Sequence, residues 1–350
     1  MKSNYRYIVK AFMAMAVIAG TTSCDDFLDR EPMSSISPET YYSTAAQLEA
    51  NLNDEYPNVL PSFGQWTYGI FGEDKGTDNQ IEVNANDRYT QDRWKVPHSE
   101  SDNWKFERIY RINFFLSEAL PKFGEDMSGS QNTISGSVAT IKHYIGEMYF
   151  LRAYEYFKKL QLFGDFPIIN QPLADEMEAL REASKRFPRN EVARFIISDL
   201  DKAYAYMSDV DMATTRINKD VAMLVKSRVA LFEATWLQNF KGTAFVPGGE
   251  GWPGASLHNN YQYPSGNIDN EVKYFLEQAV EASKLVADKY KGSLTENTGV
   301  LQQSADDPSN PYFDMFAQED LSDVKEVLLW RQYARGLSTC LLYTSDAADE

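Results

Sequence analysis

Apolar positions recur at three- and four-residue intervals along most of the chain, the period of helices with one buried face. Ser37-Pro38-Glu39 predicts the start of a first helix, with Ser as N-cap and Pro at the first position. Leu48, Leu52 and Tyr56 form its stripe, and Pro57 and Pro61 mark its expected end. Trp104 to Leu120 carries Ile109, Asn113, Leu116 and Leu120 at helical spacing and is expected to stop at Pro121. Ser137 to Phe163 gives the longest pattern, with Ile141, Ile145, Met148, Arg152, Tyr156 and Leu160 along one side. Further helices are predicted over Asn190 to Met207, Lys219 to Phe240 and Glu271 to Tyr290, and one late strand over Glu326 to Trp330.

The links Gly124 to Gly136 and Ser208 to Asn218 suit antiparallel helix pairs stacked into a solenoid-like array. Pro61 to Asn103 and Lys241 to Asn270 are far longer, and loops of that length in a folded protein are usually functional or disordered. They hold Trp66, Tyr68, Tyr89, Trp94, Trp252, Tyr261 and Tyr263, a composition unlike disorder. Those rings are the main functional clue.

Charge and the scarce residue types narrow the chemistry. The 350 residues carry a formal charge of −17, which disfavours nucleic acid as a partner. The three histidines, His98, His143 and His258, lie far apart, with no HExxH and no ligand spacing, so a zinc hydrolase is not expected and no metal or cofactor is assigned. Gly248 to Gly254, GGEGWPG, lacks the Lys-Ser/Thr of a phosphate-binding loop. The acidic run Glu73 to Asp87 lacks the ligand pattern of a calcium-binding helix-loop-helix and reads as a solvated loop.

The N-terminus reads as an export signal over residues 1–23. Lys2, Arg6 and Lys10 precede an apolar run from Ala11 to Gly20 that is too short to span a bilayer, followed by Thr21-Thr22-Ser23-Cys24. This resembles a bacterial lipobox, with Thr21 in place of the usual larger aliphatic residue. Cleavage before Cys24 would leave its thiol and amine to carry acyl chains, and several chains anchor stably where one does not. Residues 24–38 then read as a lipidated tether. Cys340 is the other cysteine, so a disulfide framework is excluded. It sits in a final stretch, 336–350, that has no capping or turn logic and reads as a non-native tail.

Gly146 to Ile169 spells GEMYFLRAYEYFKKLQLFGDFPII. Around it, in order, stand CDDFLDREP from Cys24, WKFERIYRINFFL from Trp104, PRNEVARFIISDLDKA from Pro188, RINKDVAMLVKSRVALFEATW from Arg216 and KEVLLWRQ from Lys325. Together these resemble the SusD-like (RagB/SusD) family of Bacteroidota nutrient-binding lipoproteins, over nearly all of residues 24 to 335. With the element pattern, the resemblance implies an all-α (mainly) fold: a tetratricopeptide-like helix-pair array with long loops and a few short strands, over residues 39–335. Family members typically continue well beyond the strand near Glu326, so a C-terminally truncated chain is expected.

The central motif carries scaffold residues. Gly146 and Ala153 share a helix face and allow a neighbouring helix close, Glu147 and Arg152 are expected to be satisfied polar groups between helices, and Gly164 suits a left-handed cap. The function must therefore come from the loops. The resemblance implies an outer-membrane, lipid-anchored protein facing the exterior, which binds a glycan (oligosaccharide) and delivers it to a SusC-like TonB-dependent transporter. Pyranose CH faces stack on Trp or Tyr while polar edges take hydrogen bonds. The candidate ligand-binding residues are Trp94 with Arg88 and Asp92, Trp252 with Asn259, Tyr261 and Tyr263, and Trp66; Cys24 is the lipidation site. Any one of these rings can equally serve to pack its loop. Trp94→Ala or Trp252→Ala is expected to weaken glycan retention without unfolding the helices. Two alternatives remain open: a peptide ligand, and a glycoside hydrolase using carboxylates such as Glu73 and Asp74 or Asp306 and Asp307. No sequence spacing here shows the paired carboxyl environments that hydrolysis needs, so no enzyme activity is expected.

Overall fold

A computed structural model describes residues 41–61 and 103–332, except 125, 209–211, 302–303 and 305. Cys24, the tether, Trp66, Arg88, Asp92, Trp94 and the tail 336–350 lie outside the described residues. The described chain is helical: α1 (Ala45–Val59), α2 (Glu107–Phe123), α3 (Val138–Phe163), α4 (Met177–Ala183), α5 (Arg189–Tyr206), α6 (Lys219–Asn239), α7 (Ile268–Tyr290) and α8 (Pro311–Ala317).

Local chemistry fixes most of the helix starts. The Thr44 hydroxyl accepts from Gln47 N while the Gln47 side chain accepts from Thr44 N, a capping box. Ser137, Asn218 and Asn267 cap α3, α6 and α7 through their side chains. Thr44 therefore starts the helix that carries Leu48, Leu52 and Tyr56, and the start expected at Ser37 lies outside the described residues. Pro57 and Pro121 lie inside α1 and α2 rather than ending them. Each falls in the last turn, and α2 runs on until Gly124, whose φ of 107° an L side chain rarely adopts.

The helices pack in series, and buried ion pairs record their directions. Arg152 on α3 meets Asn113 on α2 and Asp199 on α5, while Gly146, earlier on α3, abuts Ala203 and Met207 at the far end of α5. On α5, Arg189 pairs with Glu233 of α6 and Asp201 pairs with Lys226. Asp220 at the start of α6 meets Lys289 at the end of α7. Neighbours thus run antiparallel, α2 on α3 on α5 on α6 on α7, with α1 also against α3. Helix α3 is enclosed by α1, α2 and α5, which explains why buried residues occur all around it, including Ile141, Tyr144, Met148, Leu151 and Tyr156.

Glu147 and Arg152 are satisfied between helices, as expected. Glu147 accepts from the Tyr56 hydroxyl and from Arg216, and Arg152 donates to Asp199, Asn113 and the Asn170 carbonyl. The strand expected over Glu326 to Trp330 and the few short strands are corrected: the described residues contain no sheet, only the isolated bridges Thr44–Ser135 and Phe166–Phe187. Trp330 N donates to the Thr214 carbonyl and Asn218 donates to the Leu328 carbonyl, so this segment docks on the start of α6 with no partner strand. Helices α4 and α8, seven residues each, escaped the sequence reading because two turns cannot establish a period.

Candidate functional site

The end of α3 and the start of α5 are brought together by a short turn. Gly164 takes φ 67° and ends α3, and Phe166 and Phe187 then exchange backbone hydrogen bonds of 3.2 and 3.0 Å. That bridge sets Asp165 beside α5, where its Oδ1 accepts from Arg189 N at 2.9 Å. Behind it, Trp104 packs edge-on against Phe106, Phe163 and Phe166. The Arg186 guanidinium lies over the Trp104 ring, 4.6 Å from its centre.

The long connection after α6 folds over this corner and is pinned at several points. Trp236 donates through its indole to the Phe245 carbonyl, and the Tyr263 hydroxyl donates to the Pro247 carbonyl at 2.7 Å. The Tyr261 hydroxyl and the Asn190 amide bond one another at about 3 Å. The His258 Nε2–H donates to the Arg186 carbonyl, since a carbonyl can only accept. Trp252 Nε1 donates to Asp165 Oδ2 at 2.7 Å. Gly254 lets that indole lie across its own turn, because a Cβ there would sit 2.2 Å from the ring.

A cleft of about 480 Å³ remains between the loop and the α3–α5–α6 corner. Its apolar walls include Leu162, Phe245 and Leu257, which are 57%, 61% and 54% exposed, together with Trp236 and the Trp252 face. Asp165, Arg186, Arg189 and Gln161 supply its polar groups. Few polar groups on a largely apolar wall, at this size, is the usual composition of a small-ligand site. A second cavity of similar volume lies between α1, α3, α6 and the segment around Trp330. It holds none of the candidate residues, and the Trp330 indole is already bonded to Thr214 Oγ1.

The structure thus sorts the sequence candidates. Trp252 is 5% exposed and hydrogen-bonded, so it is a wall of the cleft and an anchor of the loop together. Trp252→Ala is therefore expected to loosen this loop as well as remove a wall of the cleft. Tyr261 and Tyr263 hold the loop to α5 and to its own backbone, with burial pushing both phenols well above their usual range. Asn259 is exposed and outside the cleft lining. Phe245, Leu162, Leu257 and Arg186 were passed over, because nothing in sequence order connects the end of α3 with this loop.

Asp165 gives the corner a pH dependence. Burial raises its carboxyl above the ordinary range, opposed by the Arg189 N–H, the Trp252 indole and the nearby guanidinium charges. A raised folded-state pKa means that the folded chain binds the proton more tightly than the unfolded one. The contribution to stability is full below the ordinary Asp value, about 4, and is lost as pH rises through the elevated value. Urea melts of wild type and Asp165→Asn at a series of pH values should show wild type losing stability relative to the variant as pH rises. Trp252→Phe should lower stability by about 1–3 kcal/mol, because it leaves the half-buried Asp165 carboxylate without one of its two donors; equal urea midpoints would show that the indole N–H is not needed.

Three comparisons bear on the class of protein. The SusD-like family profile described as "Starch-binding associating with outer membrane" matches residues 26–231, more than half of the chain. The chain therefore belongs to the SusD-like family. It is 25% identical to SusD-like protein P2 of Formosa agariphila over 253 residues, which cover 69% of this chain and 46% of that protein. SusD-like protein P25 of the same organism is 25% identical over 233 residues, 61% of this chain and 41% of the relative. The chain thus spans less than half the length of these curated relatives. Among solved structures, a SusD-like carbohydrate binding protein from Bacteroides fragilis is 16% identical, with 74% of this chain and 42% of that chain covered and a TM-score of 0.43. A second SusD-like protein from that species is 19% identical, covers 61% and 39%, and has a TM-score of 0.41.

Proposed function

We propose that this chain is a surface-exposed outer-membrane lipoprotein that captures a glycan and delivers it, chemically unchanged, to a SusC-like TonB-dependent transporter. The observation that carries this reading is the family match, whose description joins starch binding to the outer membrane. The lipobox-like Thr21-Thr22-Ser23-Cys24 supports lipid anchoring at Cys24. The α3–α5–α6 cleft supports capture: Phe245, Leu257 and Leu162 offer apolar surface to a sugar face, and Gln161 and Arg186 offer donors to its edge. Trp66, Arg88, Asp92 and Trp94 belong to the same proposal as contacts from the preceding long connection. Proteins of this family act by binding, and the proposal assigns no turnover to this chain.

Anchoring and delivery are tested by expressing the full chain in a Bacteroidota host and solubilising its outer membranes. A co-purifying β-barrel transporter, and loss of membrane association in Cys24→Ala, are the expected results. Recovery with soluble partners only, or unchanged membrane association of Cys24→Ala, would contradict them. Affinity gels across neutral and acidic polysaccharides identify the glycan; retention by peptide columns and by no polysaccharide would favour the peptide alternative.

A further inference from the structure

The polar groups of the cleft are not evenly divided between donors and acceptors. Arg189 is 4% exposed, and its Nε and Nη2 are committed to Glu233 at 2.9–3.2 Å. Its Cζ lies 4.1 Å from the centre of the Trp236 ring, which fixes the plane of the guanidinium. The remaining nitrogen, Nη1, makes no hydrogen bond among the described residues and passes over Gly164, where a Cβ would lie 3.3 Å away. Nη1 is not enclosed, so the otherwise buried guanidinium presents this one nitrogen to the cleft as a donor for whatever occupies it. Arg186, exposed and stacked on Trp104, makes no ion pair among the described residues. Asp165 is the acid facing these groups, yet each of its oxygens already accepts a hydrogen bond, one from Arg189 N and one from Trp252. Glu233 lies on the far side of Arg189 and is likewise engaged.

We infer that the ligand of this cleft carries an anionic substituent, a carboxylate or sulfate on a sugar ring, that meets Arg186 and the free Nη1 of Arg189. The inference rests on reading the cleft as a glycan site, and it makes Arg186 a specificity-determining residue. Hydrogen bonds from guanidinium to an oxyanion are stronger than those to a hydroxyl, and more so in a partly desolvated cleft. The overall charge of −17 opposes an anion at long range. At physiological ionic strength that field is screened within about 8 Å, so the contact groups decide.

Isothermal titration of the purified full chain with matched trisaccharides separates the possibilities. The probes are trigalacturonate against galactotriose, a glucuronate-bearing trisaccharide against maltotriose, and a sulfated galactan trisaccharide against galactotriose. In at least one pair the acidic sugar should bind about tenfold or more tightly than its neutral partner. A carboxylate-only preference identifies a uronic acid, and a sulfate-only preference a sulfated sugar. Arg186→Gln, on an exposed side chain, should keep its thermal midpoint while losing that preference, binding the acidic and the neutral sugar of the pair about equally. Equal or tighter binding of the neutral sugars, or a preference that survives Arg186→Gln, overturns the inference and leaves glycan capture standing. Failure of every sugar to bind overturns glycan capture at this cleft and the inference with it.

Discussion

Arg152→Ala is expected to lower the unfolding free energy by about 3–5 kcal/mol, a large share of the roughly 5–15 kcal/mol that holds an ordinary protein folded. The guanidinium is buried between α2, α3 and α5, donating to both oxygens of Asp199, to Asn113 Oδ1 and to the Asn170 carbonyl. Removing it leaves Asp199, which is fully enclosed, with only the exposed Lys202 at 3.6 Å to offset its charge. That penalty, rather than the lost attraction, dominates the effect. The paired substitution Arg152→Met with Asp199→Leu should therefore recover part of the loss, since it withdraws both charges together. Urea unfolding followed by circular dichroism measures all three proteins; a double variant no better than Arg152→Ala would show that Asn113 and Asn170 carry the penalty instead.

Gly146→Val should destabilise by about 3 kcal/mol or more, at or beyond the usual range for overpacking. A Cβ at 146 would sit 2.8 Å from Met207 N and 2.9 Å from the Ala203 carbonyl oxygen. Both obstacles are backbone, so no rotamer change removes them and α3 must part from α5. Neighbouring α3 residues would lose contact with Ile196, Leu200 and Ala203 as the helices separate. Thermal denaturation should show a large fall for Gly146→Val and a smaller one for Gly146→Ala. An unshifted midpoint for the valine variant would mean that the two helices are not held this closely in solution.

The two substitutions address the part of the fold that sequence made legible. The α3 pattern over Ser137 to Phe163 and its Gly164 stop are local signals, and the structure reproduces them within a residue. Gly146, Glu147 and Arg152 were also readable, because a glycine and two opposite charges inside an apolar helix have few structural explanations. The start of α1 at Thr44 was locally legible as the capping pair Thr44 and Gln47, which attention to Ser37-Pro38-Glu39, outside the described residues, left unread. Pro57 and Pro121 misled because proline is tolerated in a helix's closing turn when the freed carbonyl lies near the end.

The candidate site was less legible. Trp252 was read as a candidate and lies in the wall of the cleft, but aromatic composition cannot tell a presented ring from one whose indole is tied to Asp165. Arg186 and Leu162 come to the cleft from the start of α5 and the end of α3, a proximity set by the Phe166–Phe187 bridge. Phe245 carried one faint signal: it is a lone aromatic between Gly242 and Gly248 in a loop with no buried stripe of its own.

The most direct test of glycan capture at this cleft is a titration of wild type and Phe245→Ala with the polysaccharide fragment found on affinity gels, followed by mass spectrometry of the recovered sugar. Phe245 is largely exposed, and the Trp236 bond goes to its backbone carbonyl, so the substitution spares the fold. One saturable site, weakened about tenfold in the variant, with the sugar recovered at its original mass, is the predicted result. Undiminished affinity in Phe245→Ala, or a sugar returned shorter than it was added, would contradict it.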